Sequence, residues 1–180
     1  MMIHSHILVV GGTGMLADAA VWLEQHAETV TVIGRKQHRH YKLQTRMKKV
    51  NSLIVDYADN GELRKQIKKA IERFGPITLV VSWIHSYAAD ALVIISEEVS
   101  KSAEKWRLFH IQGSSSHLEK KTVNVMPNCL YRSILLGFIL EADGSRWLTN
   151  KEICEGVIKC VEEDNKDMVI GILEPWEKRP

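Results

Sequence analysis

Short, wholly apolar runs separated by longer amphipathic stretches set the rhythm of the first two thirds of the chain. The runs predict strands over His6–Val10, Val30–Gly34, Ser52–Asp56, Ile77–Trp83 and Arg107–Gln112. Strands that are apolar at every position have both faces covered, as in a parallel sheet between two helix layers. Helical spacing between them predicts helices over Gly14–His26, Lys36–Lys48, Asn60–Phe74 and Ala88–Lys105. In the third of these, Leu63, Ile67, Ala70, Ile71 and Phe74 share one face, and the FGP triplet stops the helix before the next strand. The alternation predicts a single-domain, doubly wound α/β fold of Rossmann type across residues 1–180, with seven strands and helices on both faces.

The last third changes rhythm. The run CLYRSILLGFILEA reads as one long strand. SRWLTNKEICEGVIKCVEE then reads as a helix capped by Thr149 or Asn150, with Ile153, Val157, Ile158 and Val161 on one face. MVIGIL reads as a final short strand that closes one end of the sheet.

Composition adds limits rather than direction. The 180 residues, 45% hydrophobic and with a net charge of +2, suffice for one domain with a sizeable core. The balanced charge gives no global case for nucleic acid or membrane. The opening MMIHSHILVV lacks the parts of a signal peptide, and no apolar run approaches the roughly 20 residues of a bilayer span. Cys129, Cys154 and Cys160 form an odd set without C-x-x-C, which argues against a disulfide framework, and Cys154 and Cys160 fall on a predicted helix as packing residues. The expectation is a soluble cytoplasmic protein without a membrane partner.

The chemistry starts just after Gly11, at Gly12-Thr13-Gly14-Met15-Leu16-Ala17, which fits G-x-G-x-x-G/A directly after a strand and at the opening of a helix. Glycines there allow a tight turn and close backbone approach to a pyrophosphate, next to unpaired N–H groups at the positive end of the helix. No G-K-[ST] follows, which excludes a P-loop. At the end of the second strand an NAD-binding chain carries Asp or Glu for the ribose 2′-hydroxyl. This chain has Gly34, Arg35 and Lys36, and a guanidinium can take a 2′-phosphate through two parallel hydrogen bonds. The expected cofactor is therefore NADP(H) rather than NAD(H), with Arg35 the main reader and Lys36 its support.

Together these residues resemble the short-chain dehydrogenase/reductase superfamily, in a small atypical form, from Ile7 to about Gly113. The resemblance implies that Gly11, Gly14 and Ala17 are the glycine-signature positions and that Asp56, with Tyr57 beside it, contacts the adenine. It also places Ser82 and Trp83 beside the nicotinamide ribose, although the family's Asn-Ala-Gly motif is absent. The family's catalytic pair is a tyrosine with a lysine four residues later, and no Tyr-x-x-x-Lys occurs in this chain. The polar stretch after Ser116 is too short to carry the helix that bears that pair.

Three residues remain as candidate proton donors or polar contacts. Ser114 follows the fifth strand where the family's catalytic serine falls, His85 follows the fourth, and Tyr131 lies in the long apolar run. Each also has a purely structural reading, as a turn serine, a backbone-bonded loop histidine and a packed strand tyrosine. His4/His6 and His38/His40 have i, i+2 spacing but no accompanying ligand set, so no metal site is expected. The basic stretch RKQHRHYKLQTRMKK is accounted for by a helix beside a 2′-phosphate pocket, without nucleic acid. Two functions stand at this point. One is an NADP(H)-dependent oxidoreductase with a non-standard active site, acting on an unidentified small molecule. The alternative is a non-catalytic dinucleotide-binding sensor. The run CLYRSILLGFIL could form a homo-oligomer edge as well as core.

Overall fold

The computed structural model describes residues 3–119 and 123–180. Seven parallel strands form one sheet: β1 (His4–Val10), β2 (Ala27–Gly34), β3 (Val50–Ile54), β4 (Leu79–Trp83), β5 (Trp106–Gln112), β6 (Cys129–Leu136) and, across a hairpin, β9 (Asp167–Ile170). Their order is β3-β2-β1-β4-β5-β6-β9. The hairpin, β7 (Phe138–Glu141) and β8 (Gly144–Trp147), is a separate antiparallel pair.

The apolar runs are strands because both faces of the sheet are covered. In β1, Ile7 and Val9 enter the core beneath α1 (Ala17–Leu23), α2 (Gln37–Gln44) and α6 (Asn150–Glu163). Leu8 and Val10 enter the opposite core, beneath α3 (Asn60–Phe74) and α4 (Ala91–Ser102). Each such side chain removed from water contributes about 1.5–3 kcal/mol. The α3 bounds agree with the expected helix, and Asp59 caps it by accepting from the Glu62 N–H at 3.0 Å. Thr149 caps α6 in a reciprocal capping box with Glu152, which settles the choice between Thr149 and Asn150.

Other boundaries move. The first helix starts at Ala17 rather than Gly14, because residues 11–16 form an irregular turn, and it ends in a 3-10 turn at Glu24–His26. The basic helix is short, Gln37–Gln44, and α4 begins at Ala91. Between β5 and β6 the helical residues described are the single turn α5 (Ser116–Glu119).

The long apolar run is two strands rather than one. The chain bends at Gly137, where β6 leaves the sheet and β7 begins. Phe138 and Ile172 exchange backbone hydrogen bonds of 2.9 Å in both directions. That brings the Ile172 carbonyl oxygen to 2.1 Å from where a Gly137 Cβ would sit. Gly137→Ala must therefore push backbone aside and is expected to cost about 2–3 kcal/mol, the upper range for overpacking. Urea unfolding checks this, and an unchanged midpoint would mean that the bend tolerates a side chain.

Candidate functional site

Strand order reverses between β1 and β4, and in open α/β sheets ligands bind outside the carboxyl ends of the strands at that point. The turn after β1 occupies it. Gly11 has φ of +81°, its N–H donates to the Ile33 carbonyl at 3.1 Å, and a Cβ would lie 2.9 Å from the Trp83 carbonyl oxygen. Backbone handedness and crowding both demand glycine here. Gly12 packs against the Val9 and Val32 side chains, and Leu16 is fully buried, so these two residues support the turn from below. Thr13, Gly14 and Met15 face a cleft of about 360 Å³. The Met15 carbonyl accepts the Cys154 thiol from α6 at 3.0 Å.

Gly34, Arg35, Lys36 and Arg39 line the same cleft from the end of β2 and the first turn of α2. An Arg39 guanidinium nitrogen lies 3.0 Å from the position a Gly14 Cβ would take, so this cation reaches over the glycine turn. Arg35 sits 5.4 Å from the centre of the Tyr87 ring and 3.8 Å from the Asp56 carboxylate. His40 is buried under β2, its Nε2–H donating to the Gly34 carbonyl at 3.0 Å. Its Nδ1 is left buried without a hydrogen-bond partner, and burial holds the imidazole pKa down. A neutral His40 therefore fixes the strand end from which Arg35 projects.

Aromatic rings make the far wall. Tyr57, which is buried, accepts the His85 backbone N–H at 3.4 Å and stacks on Tyr87 at 5.8 Å. His85 stacks on Tyr87 at 5.9 Å and meets Trp83 edge-on at 5.7 Å.

The expected site residues thus divide. Gly11, Thr13, Gly14, Met15, Arg35, Lys36, Tyr57, Trp83 and His85 all line the cleft. Asp56 stands beside it through its contact with Arg35 and accepts the Ala58 N–H at 3.0 Å. Ser82 is fully buried with its hydroxyl unpartnered, and Ser114 is buried at the end of β5. Neither lines the cleft.

Tyr131 lies elsewhere. It pairs with Leu108 deep in the β5–β6 ladder, and its hydroxyl bonds His110 Nδ1 at 2.8 Å. Burial pushes the phenol up to about 12 and the imidazole down to about 4, so the pair is neutral and a poor proton source. Burial likewise raises the Cys129 thiol to about 12 and the Cys160 thiol to about 11, and it raises that of Cys154. None of the three is an activated nucleophile. His4 and His6 bond Thr78, Gly75 and Thr31 instead of facing a shared ligand position.

Arg39 and Tyr87 were not expected at the site. Arg39 carries a legible signal, since it belongs to the basic stretch that opens at Arg35 and it falls in the first turn of α2, beside the end of β2. Tyr87 carries none, because only the folded loop brings it under the guanidinium.

No protein-family model matches the sequence, and no curated protein does. Solved structures match the fold throughout. A short-chain dehydrogenase/reductase from Brucella melitensis superposes with a TM-score of 0.70 at 10% identity, over 94% of this chain and 96% of that one. A β-ketoacyl-[ACP] reductase from Bacteroides thetaiotaomicron gives 0.66 at 12% identity, over 93% and 97%. An oxidoreductase from Haemophilus influenza with bound NAD gives 0.65 at 8% identity, over 94% and 95%. The chain has the fold of the short-chain dehydrogenases/reductases.

Proposed function

We propose that this chain binds NADP(H) in the cleft at the end of β1, preferring it to NAD(H). One observation carries the reading: Arg35, Lys36 and Arg39 converge on the same space beside the glycine turn. The turn can receive a pyrophosphate because Gly14 carries no side chain of its own, and the Arg39 guanidinium beside it is a cation placed to meet a phosphate. Arg35 is braced between the Tyr87 ring and Asp56, which orders a side chain that would otherwise lose freedom on binding. Charge-assisted hydrogen bonds from such cations to a phosphate contribute about 1.5–3 kcal/mol each, a tenfold or greater preference for the phosphorylated ribose.

Calorimetric titration with NADPH and NADH tests the reading. NADPH is expected to bind at least about tenfold more tightly. Equal affinities would remove the 2′-phosphate assignment.

A second reading makes the protein an oxidoreductase on this scaffold. NADPH, when bound, supplies a hydride, and its acceptor needs a proton. His85 favours this reading, because its imidazole lines the cleft and histidine is the side chain suited to proton donation near neutral pH. NADPH oxidation by added aldehydes, ketones or quinones that is lost in His85→Ala supports it. Tight binding with no turnover on the panel supports a sensor or carrier instead.

A further inference from the structure

A dinucleotide in a doubly wound sheet spans two mononucleotide-binding halves, one built on β1–β3 and one on β4–β6. The cleft of this chain belongs to the first half. Its lining residues come from the β1 turn, the end of β2, α2 and Tyr57, and it stops at Trp83 and His85 on the end of β4. Among the described residues, none from β5 onward lines it.

The cause is the Trp83 side chain. Its Cδ1 lies 3.6 Å from where a Gly11 Cβ would sit, and its Cη2 lies 3.8 Å from the corresponding point at Gly113. The indole therefore runs from the glycine turn to the end of β5, across the entrance to the second half. Packing against the core beneath α1 and α6 holds it there. His85 adds an edge-on ring to the same wall at 5.7 Å, itself backed by Tyr87. The adenosine side of NADP(H) thus meets three cations and the glycine turn, whereas the indole stands between them and the separate hollow beyond β5 that Gln112, Ser116 and Tyr131 line.

We propose that Trp83 and His85 close the second half, so that the chain grips the 2′-phosphorylated adenosine part of NADP(H) and leaves the nicotinamide nucleotide outside. The inference rests on the NADP(H)-binding reading and narrows it to recognition of 2′-phosphoadenosine nucleotides. It makes the site a reader of that group and not a hydride-transfer centre.

Adenosine 2′,5′-bisphosphate and NADPH, titrated separately against the full chain, test it. The two are expected to bind within about threefold of each other, and bound NADPH is expected to keep the nicotinamide emission of the free cofactor. Trp83→Ala and, as a second opening that leaves the core intact, His85→Gly are each expected to shift the ratio of NADPH affinity to bisphosphate affinity at least about tenfold towards NADPH. NADPH binding about thirtyfold or more tightly than the bisphosphate to the unaltered chain would overturn the inference while keeping the NADP(H) reading. A blue shift of the nicotinamide emission in the complex would do the same. Failure of both ligands to bind would overturn the reading beneath it.

Discussion

Arg35→Asp is expected to lower NADPH affinity about a hundredfold, equivalent to about 2.7 kcal/mol, while NADH affinity stays within about twofold. Two effects add. The charge-assisted bonds to the 2′-phosphate are lost, and a carboxylate then faces that phosphate close to Asp56, which Arg35 now approaches to 3.8 Å. The site is half exposed, so solvent screens the repulsion and the lost hydrogen bonds dominate. Arg35→Gln keeps some polar contact without the charge and is expected to fall between the two. Titrating each variant with both dinucleotides measures this. An equal loss for NADH would assign Arg35 a structural role, through Tyr87, instead of a discriminating one.

The second large effect concerns acid. His4, His6, His40 and His110 all have pKa values held below the ordinary histidine range, burial being the largest cause in each. Their hydrogen bonds explain why the neutral form fits. The Gly75 carbonyl takes the proton on His6 Nδ1, so Nε2 accepts from Thr31, whose oxygen in turn accepts from Asn51. His4 Nε2 faces Arg107 at 3.4 Å, and His110 Nδ1 accepts from Tyr131. Native pKa values lie below unfolded ones, so the unfolded chain binds more protons below about pH 6.5 and stability falls as pH drops.

His110, with a pKa of about 4, alone is expected to remove about 2 kcal/mol between about pH 7.5 and 5. The other three add to that in the same direction. Native carboxylates such as Asp164, held low by Arg132 and Arg107, remain ionised over most of this window and enter at lower pH. Urea midpoints measured across the range check the claim. His110→Phe is expected to flatten part of the slope, and a pH-independent midpoint would show that these imidazoles are not held neutral.

Much of the fold is legible because burial on two faces leaves a plain mark. A residue run such as ILVV has no polar position to spare, and its neighbours in the sheet read the same way. The Gly137 bend is illegible for the converse reason. CLYRSILLGFILEA is apolar on both sides of the glycine, and the contact that turns the chain comes from Ile172, 35 residues later. At the site, the glycine turn and Arg35 are local signals, set by handedness and charge at fixed offsets from a strand end. Arg39 belongs to the same basic stretch, yet a search confined to the strand terminus passes over it. The role of Trp83 depends on where its side chain packs, and composition and spacing say nothing about that. The same holds for Tyr131, whose partner His110 lies across the β5–β6 ladder.

The thiol of Cys154 on the Met15 carbonyl has a consequence for how the molecule can be taken apart. All the residues that line the cleft lie before position 86, so the first half of the chain looks like a detachable cassette. It is not one. The turn that carries Gly14 and Met15 is tied from above by a helix 139 positions downstream, and α1 shares its apolar face with that helix. Truncation before α6 removes no cleft residue and still leaves the turn without its brace.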